Sequence, residues 1–494
     1  MSSALLTDLY QLTMAAAFWK SGTAAKEAAF QLIFRRQPFG SGFTIACGLA
    51  DAIAWLEALR FTAEDLAYLT TLRGADEQPL FERAFLDFLG SLTWSCDVDA
   101  IPEGTVVFPH EPLVRVQGPI LECQLAETAL LTIINFQTLI ATKSARVCLA
   151  ARGDPVIEFG LRRAQGPDGG LSASRAAFVG GCAGTSNTLA GQRFGIPVRG
   201  THAHSWVMSF ETEDDAFRAY AEAMPHNSIF LVDTYNTLDG VRRAIAAGKW
   251  LRERGHTLAG IRLDSGDLAW LSRKSRELLD AAGFENAVIL ASNDLDETVI
   301  ASLKEQGAAI GAWGVGTRLV TAFDEPALGG IYKLTAVREP GGDWKPRLKL
   351  SEQTAKISLP GIHQVRRFSA GGQFIGDAIY DLLDEPADEW TIVNPDDSAR
   401  RKNFPGDTAG EDLLVPIFRG GRRVYELPPL TAIRERTQQQ LAALDPTIKR
   451  LLNPHEYPAG IETRLFERRQ RLIEDLRSQI SDFRSGAPPL QSEI

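Results

Sequence analysis

The 494-residue chain carries 52 basic and 62 acidic side chains, giving a formal net charge of −10, and is 45% hydrophobic and 23% charged. Such a length calls for roughly two or three domains around a large core, and the acidic balance argues against nucleic acid or an anionic membrane as main partner. Anionic small molecules are not excluded, because a local arginine cluster can reverse the field.

No run approaches the about 18 apolar residues of a membrane span, and the N-terminus MSSALLTDLYQLTM lacks a basic region followed by an apolar core. The five cysteines (Cys47, Cys96, Cys123, Cys148, Cys182) show neither CxxC nor zinc spacing, so reduced thiols in a cytoplasmic setting are expected. Residues 1–100 read as mostly helical; over 5–19 apolar residues recur at helical spacing, with Thr7 and Asp8 as caps. The exception is 30–43, a strand leading into a Gly-rich loop that carries Arg35 and Arg36. Alternation broken by Pro and Gly predicts short antiparallel strands over 101–120, and a long apolar-periodic segment predicts a buried helix over 125–151. Together these make one mixed N-terminal domain, 1–150.

From Val156 the rhythm changes. VIEFGLRRA, FVGGCAGTSN, IPVRGTHAHS, IFLVDTYN, LAGIRLDSGD, AVILASND and AIGAWGVGT are apolar runs with polar tips, each followed by a helical stretch. That pattern predicts parallel β/α units, and an irregular (β/α) barrel over 151–335 with its site at the strands' C-terminal ends. The alternative is an open doubly wound sheet, which no GxGxxG fingerprint supports. Beyond 335 the chain (336–494) reads as strands and turns over 332–370, a loop-rich stretch over 381–425, a charged amphipathic helix over 462–483 and a loose tail at 486–494. This C-terminal part is expected to pack with the N-terminal domain, giving an α/β protein whose barrel is flanked by a mixed α+β domain.

The chain is organised around IPVRGTHAHSWVMSF (196–210), read as a strand, a sharp turn and a helix running to about Met224. His202 and His204 stand at the junction. The positive end of the helix dipole would favour neutral imidazole there, the form that acts as nucleophile or metal ligand. Positions i and i+2 of a helix start point in nearly opposite directions, so only one ring should face the site. A metal-binding HxH, as in barrel hydrolases, would need further histidines at later tips, whereas His226 and His256 precede their strands. The glycines of GVGT (Gly314, Gly316, then Thr317) and the AGTSN tip can turn backbone N–H groups toward a phosphate. Arg162, Arg163 and Arg262 suit phosphate or carboxylate. Asp233, Asp264 and Asp267 could hold sugar hydroxyls or magnesium, although one of the last two could merely cap the helix starting at Leu268.

TDLYQLTM (7–14), FRRQPFGSGF (34–43), EFGLRRAQG (158–166), GTHAHSW (200–206), VDTY (232–235), IRLDSGDL (261–268), GVGT and LGGIYKL (328–334) together resemble the nicotinate phosphoribosyltransferase family over nearly the whole length. The resemblance implies an irregular barrel of the type II phosphoribosyltransferase kind and a homodimer with active sites shared across the interface. It further implies transfer of phosphoribosyl from 5-phosphoribosyl 1-pyrophosphate to nicotinate, giving nicotinate mononucleotide and pyrophosphate in NAD biosynthesis, with Mg2+ as cofactor and ATP as co-substrate. By the same resemblance His204 is the histidine that ATP phosphorylates. Thr201 and Arg262 line the nicotinate site, and Tyr10 stacks on the ring from the partner subunit. Thr317 and its glycines hold the 5-phosphate, Arg162 faces the same ligands, and Asp233 and Asp264 serve ribose hydroxyls or magnesium pyrophosphate. The related nicotinamide enzymes carry Asp where Ser186 stands; a carboxylate would repel nicotinate, so Ser186 implies the acid as substrate.

Overall fold

A computed structural model describes residues 3–351, 357–385, 389–395 and 397–485; the tail expected over 486–494 lies outside them. The first helix is Leu9–Lys20, with Asp8 at its N-cap and the Asp8 N–H donating to Gln11 Oε1 at 3.2 Å. Strand Glu27–Ile33, buried from Ala28 to Leu32, pairs antiparallel with Val114–Pro119 on one side and Ile331–Arg338 on the other. Their seven-stranded sheet continues through Asp97–Ala100 to Val415–Arg419 and Arg422–Arg423. The last part of the chain therefore returns to complete a sheet begun by the first. A second antiparallel-rich sheet of six strands, Arg401–Phe404 to Ala409–Asp412 at its edges, holds the remaining C-terminal strands. Arg367, fully buried, pairs with Asp377 inside it and donates to the Val106 carbonyl at 2.8 Å, tying it to the small two-stranded sheet of Thr44–Ile45 and Val106–Val107.

Helix Glu127–Ala150 is the shared spine. Residues Gln137–Val147 are all buried, so the polar side chains among them need partners inside the protein. Thr142 and Thr138 accept from the N–H groups of Ile45 and Cys47, and Ser144 donates to the Ala177 carbonyl at 2.7 Å. Lys143 is buried against Glu297 at 2.8 Å and Asp324 at 2.6 Å, which anchors the spine to the β/α layer.

That layer is a six-stranded parallel sheet in the order Gly184–Thr185, Val156–Glu158, Ala312–Val315, Val288–Ala291, Gly260–Leu263, Ile229–Leu231. Two expected strands differ: the one in FVGGCAGTSN is Gly184–Thr185, later than its apolar start, and the one at 196–198 is missing. Phe178 and Val179 of FVGG form the last turn of helix Gly166–Val179, stopped by Gly180 and by Gly181 at φ 125°. Residues 196–198 make a single bridge, Val198 to Thr185, because Pro197 has no N–H to extend a ladder. The helix expected to run to Met224 is two helices, His204–Met208 and Glu213–Ala223, broken where the Thr212 side chain caps the second. The stretch expected to be loop-rich over 381–425 holds, among its described residues, five short strands of two to five residues each. No helix among the described residues is long and apolar enough to cross a membrane.

Candidate active site

The polar tips converge where the parallel strands end. Asp233 lies two residues past Leu231, Asp264 one past Leu263 and Ser292 one past Ala291, while Arg262 alternates with buried Ile261 and Leu263 in its strand. His204 Nε2 stands 3.1 Å from Asp233 Oδ1. The other Asp233 oxygen accepts from the Asp264 N–H at 2.9 Å and from Ser265 Oγ at 2.6 Å. Arg262 donates to Ser292 Oγ at 2.8 Å, Asp264 Oδ1 at 2.9 Å and Thr201 Oγ1 at 3.4 Å, and Ser292 Oγ in turn donates to Asp264. The Phe159 ring backs the guanidinium at 5.5 Å. A Cβ on Gly314 would fall 2.6 Å from that ring, and one on Gly316 3.2 Å from the Phe159 carbonyl. The GVGT glycines thus let the last strand close onto Phe159, and through it onto Arg262.

The two histidines separate as their spacing requires. His202 is buried; its Nε2 accepts from the Leu231 N–H at 3.2 Å, and its ring packs against Tyr220, Phe217 and Phe230. Burial, with Arg262 and His204 nearby, pushes its imidazole below the ordinary range. His202 therefore bridges the gap between the Val198 segment and the edge strand. The dipole expected to set the His204 ring belongs to a helix of five residues, so the Asp233 hydrogen bond is the stronger orienting contact. Asp267, by contrast, caps helix Leu268–Ala281 through the Trp270 N–H, and Asp264 does not.

Around this cluster, Arg162 and Arg163 stand exposed in a turn after strand Val156–Glu158. Ser186 is half-buried, its N–H bonded to the Glu158 carbonyl at 2.9 Å. Thr317 opens a short helix behind Gly316. Sequence reasoning missed Ser292, Ser265, Phe159 and the buried Glu158 carboxylate, which accepts from Ser174 and Thr185 and so fixes the AGTSN tip. It also missed the left-handed backbone of Asn293 (φ 97°) and Asp294 (φ 41°), a sign in non-glycine residues of a constrained site. A polar tip after every strand was the available signal; which tip residue turns inward was not.

The N-terminal domain of nicotinate phosphoribosyltransferase is matched by residues 5–135, the family itself by 155–340 and its C-terminal domain by 362–469. The nicotinate phosphoribosyltransferase of Bacillus subtilis (strain 168) is 41% identical over 488 residues, covering 97% of each chain. This chain belongs to the nicotinate phosphoribosyltransferase family. The human protein of that name is 36% identical, with 93% of this chain and 95% of the human one covered. The crystal structure of human nicotinic acid phosphoribosyltransferase superposes with a TM-score of 0.82 at 33% identity, covering 94% of this chain and 99% of that one. The mixed α/β fold is thus that of the family. A metal-dependent hydrolase, the rival reading of the histidine pair, is not supported. The relatives are transferases, His202 is turned into the core, and among the described residues no three His, Cys, Asp or Glu side chains are grouped to hold a metal.

Tyr10 stands apart from the cluster on the first helix, 47% exposed beside Glu127; burial and that carboxylate push its phenol up. Lys333, next to Glu127, is pushed down by burial and by Lys349 and Arg35. Glu127 thus has Tyr10 and Lys333 as neighbours.

Proposed function

We propose that the protein transfers phosphoribosyl from 5-phosphoribosyl 1-pyrophosphate to nicotinate, forming nicotinate mononucleotide and pyrophosphate, with ATP hydrolysis coupled through His204. The observation that carries this reading is the His204–Asp233 pair joined to the Arg262–Asp264–Ser292 cluster at the strand ends of a chain in this family. The six strands, with the Val198 segment at their edge, are read as the irregular barrel over 151–335. The flanking parts, 1–150 and 336–494, are read as the mixed domain, in a cytoplasmic homodimer.

Displacement at the anomeric carbon passes through an oxocarbenium-like state, and the pyridine nitrogen is already a nucleophile, so positioning is the protein's main task. Arg262, held by Ser292 and backed by Phe159, would receive the nicotinate carboxylate with Thr201, and Ser186 would donate to it. Tyr10 of the partner would stack on the ring's other face. Gly314, Gly316 and Thr317 would hold the 5-phosphate, and Arg162 would face the same ligands.

Asp264 offers one carboxylate oxygen to Arg262 and Ser292, and its side chain is 27% exposed. That fits Mg2+, which takes oxygen ligands and reaches proteins through one or two carboxylates plus phosphates. Asp264, with Asp233 beside it, would hold magnesium pyrophosphate, and the ion would supply neutralisation of the leaving group's charge.

With Nε2–H donated to Asp233, the free lone pair of His204 is on Nδ1. Nδ1 would attack the γ-phosphorus of ATP, and ADP would leave. The phosphohistidine adds charge and acceptor oxygens beside the substrates; its hydrolysis then favours release, so ATP shifts populations rather than forming the glycosidic bond.

Purified protein supplied with nicotinate, 5-phosphoribosyl 1-pyrophosphate, ATP and magnesium should form nicotinate mononucleotide and release ADP. Equal turnover of nicotinamide, or no mononucleotide with either base, would contradict the reading.

A further inference from the structure

Two pairs of thiols approach one another in this chain. Cys96 and Cys123 lie with sulfurs 3.6 Å apart, but both are fully buried in the core. The other pair joins the spine helix to the AGTSN tip. Ser144, one turn before Cys148 on that helix, has its Oγ 3.2 Å from Cys182 Sγ, and a Cβ on the neighbouring Gly181 would lie 3.3 Å from Cys148 Sγ. Cys148 is the one cysteine that is not fully buried. Arg434 donates to the carbonyls of Gly181 (2.9 Å) and Cys182 (3.1 Å), placing a guanidinium against the pair. The hydrogen bonds from Cys182 and Ser144, and the charge of Arg434, hold the Cys148 thiol below its ordinary range, which favours the reactive thiolate.

We propose that Cys148 and Cys182 form a peroxide-sensitive dithiol whose closure to a disulfide displaces the tip carrying Ser186. The Cys148 thiolate attacks one peroxide oxygen; an S–O bond forms, the O–O bond breaks, and hydroxide leaves as water after taking a proton. The Cys182 sulfur then attacks the Cys148 sulfenic acid; the S–S bond forms, the S–O bond breaks, and the leaving hydroxide departs as a second water with the Cys182 proton. The two thiols lose two electrons in all, and one peroxide is reduced to two waters. Closure to the about 2.0 Å of a disulfide draws Cys182 toward the helix. Only Ala183 separates it from strand Gly184–Thr185, so Ser186 must move with it.

The kinetic half of this inference rests on the proposed nicotinate activity; the covalent half does not. The full-length protein is treated with hydrogen peroxide, alkylated under denaturing conditions and mapped by mass spectrometry, with KM for nicotinate measured before treatment, after it, and after dithiothreitol. Expected are a Cys148–Cys182 cross-linked peptide with Cys47, Cys96 and Cys123 still alkylated, and a severalfold rise in KM that dithiothreitol reverses. In Cys182→Ser the cross-link should vanish and dimedone should label Cys148. A chain with no such cross-link, one in which Cys96 and Cys123 react instead, or one whose cross-link leaves KM unchanged would overturn the proposal. A cross-link in a protein that does not use nicotinate at all would count against the proposed activity alone.

Discussion

His202 is 8% exposed and the His204 side chain 39% exposed, although a single residue separates them. The buried ring accepts a backbone N–H and packs among aromatics; the open ring meets a carboxylate. Replacing His202 with Gln removes the packing and misplaces the acceptor for Leu231, so a loss of about 2 kcal/mol in unfolding free energy is expected from denaturant titration. Burial keeps His202 and His363 below the ordinary imidazole range. The unfolded chain therefore protonates first, and the stability tied to these neutral rings is present above about pH 6.5 and lost as pH falls through their lower folded values. Thermal midpoints between pH 7.5 and 5.5 should fall, and fall less steeply in His202→Gln; an equal slope would remove His202 from that account. At the AGTSN tip, Ser186→Asp puts a carboxylate where a donor stood. Its kcat/KM for nicotinate should drop about 100-fold while nicotinamide turnover rises, and a variant that keeps its preference for the acid would show that selectivity lies elsewhere.

At the scale of the elements, the last parallel strand, Ala312–Val315, is seated on Phe159 only because Gly314 has no side chain. In Gly314→Ala the new methyl would push the ring from beneath Arg262, raising KM for nicotinate about tenfold and costing about 1–3 kcal/mol of stability by overpacking. Steady-state kinetics with thermal denaturation reads both, and an unchanged KM would show that Arg262 does not need its aromatic backing. The strands that carry this arrangement were legible because a parallel strand between helices is apolar on both faces and ends in polar residues. IPV looked equally apolar, but Pro197 cannot donate to a ladder, and FVGG looked like a strand because two apolar residues finishing a helix resemble two beginning one. The strands over 390–423 were missed because pieces of two to five residues show too few alternations to count. Ser292 and Phe159 were illegible for a different reason: their neighbours across the sheet, not along the chain, give them their contacts.

For the whole molecule, Tyr10 and the Arg35–Lys333–Lys349 group lie with the N-terminal helix and antiparallel sheet, while His204 and Arg262 lie at the parallel strand ends. A homodimer in which each site takes Tyr10 from the partner makes a sharp expectation. Tyr10→Ala and His204→Asn should each be nearly inactive, yet co-expression should restore about a quarter of wild-type activity, because half the dimers are mixed and each mixed dimer has one intact site. No recovery in isolated mixed dimers would place Tyr10 in its own subunit's site, and a fully active Tyr10→Ala would place it in none. The claim on which the rest turns is that His204 accepts a phosphoryl group on the nitrogen facing away from Asp233. The most direct measurement is incubation with ATP and magnesium, followed by peptide mass spectrometry at alkaline pH with fragmentation to locate the added phosphoryl mass. The expected result is a phosphoryl group on His204, absent in His204→Asn and present in His202→Gln, with the phosphorus resonance of the modified protein at the position of Nδ1-phosphohistidine. An unmodified peptide under conditions where ADP is released, or a phosphoryl group on His202, would contradict it.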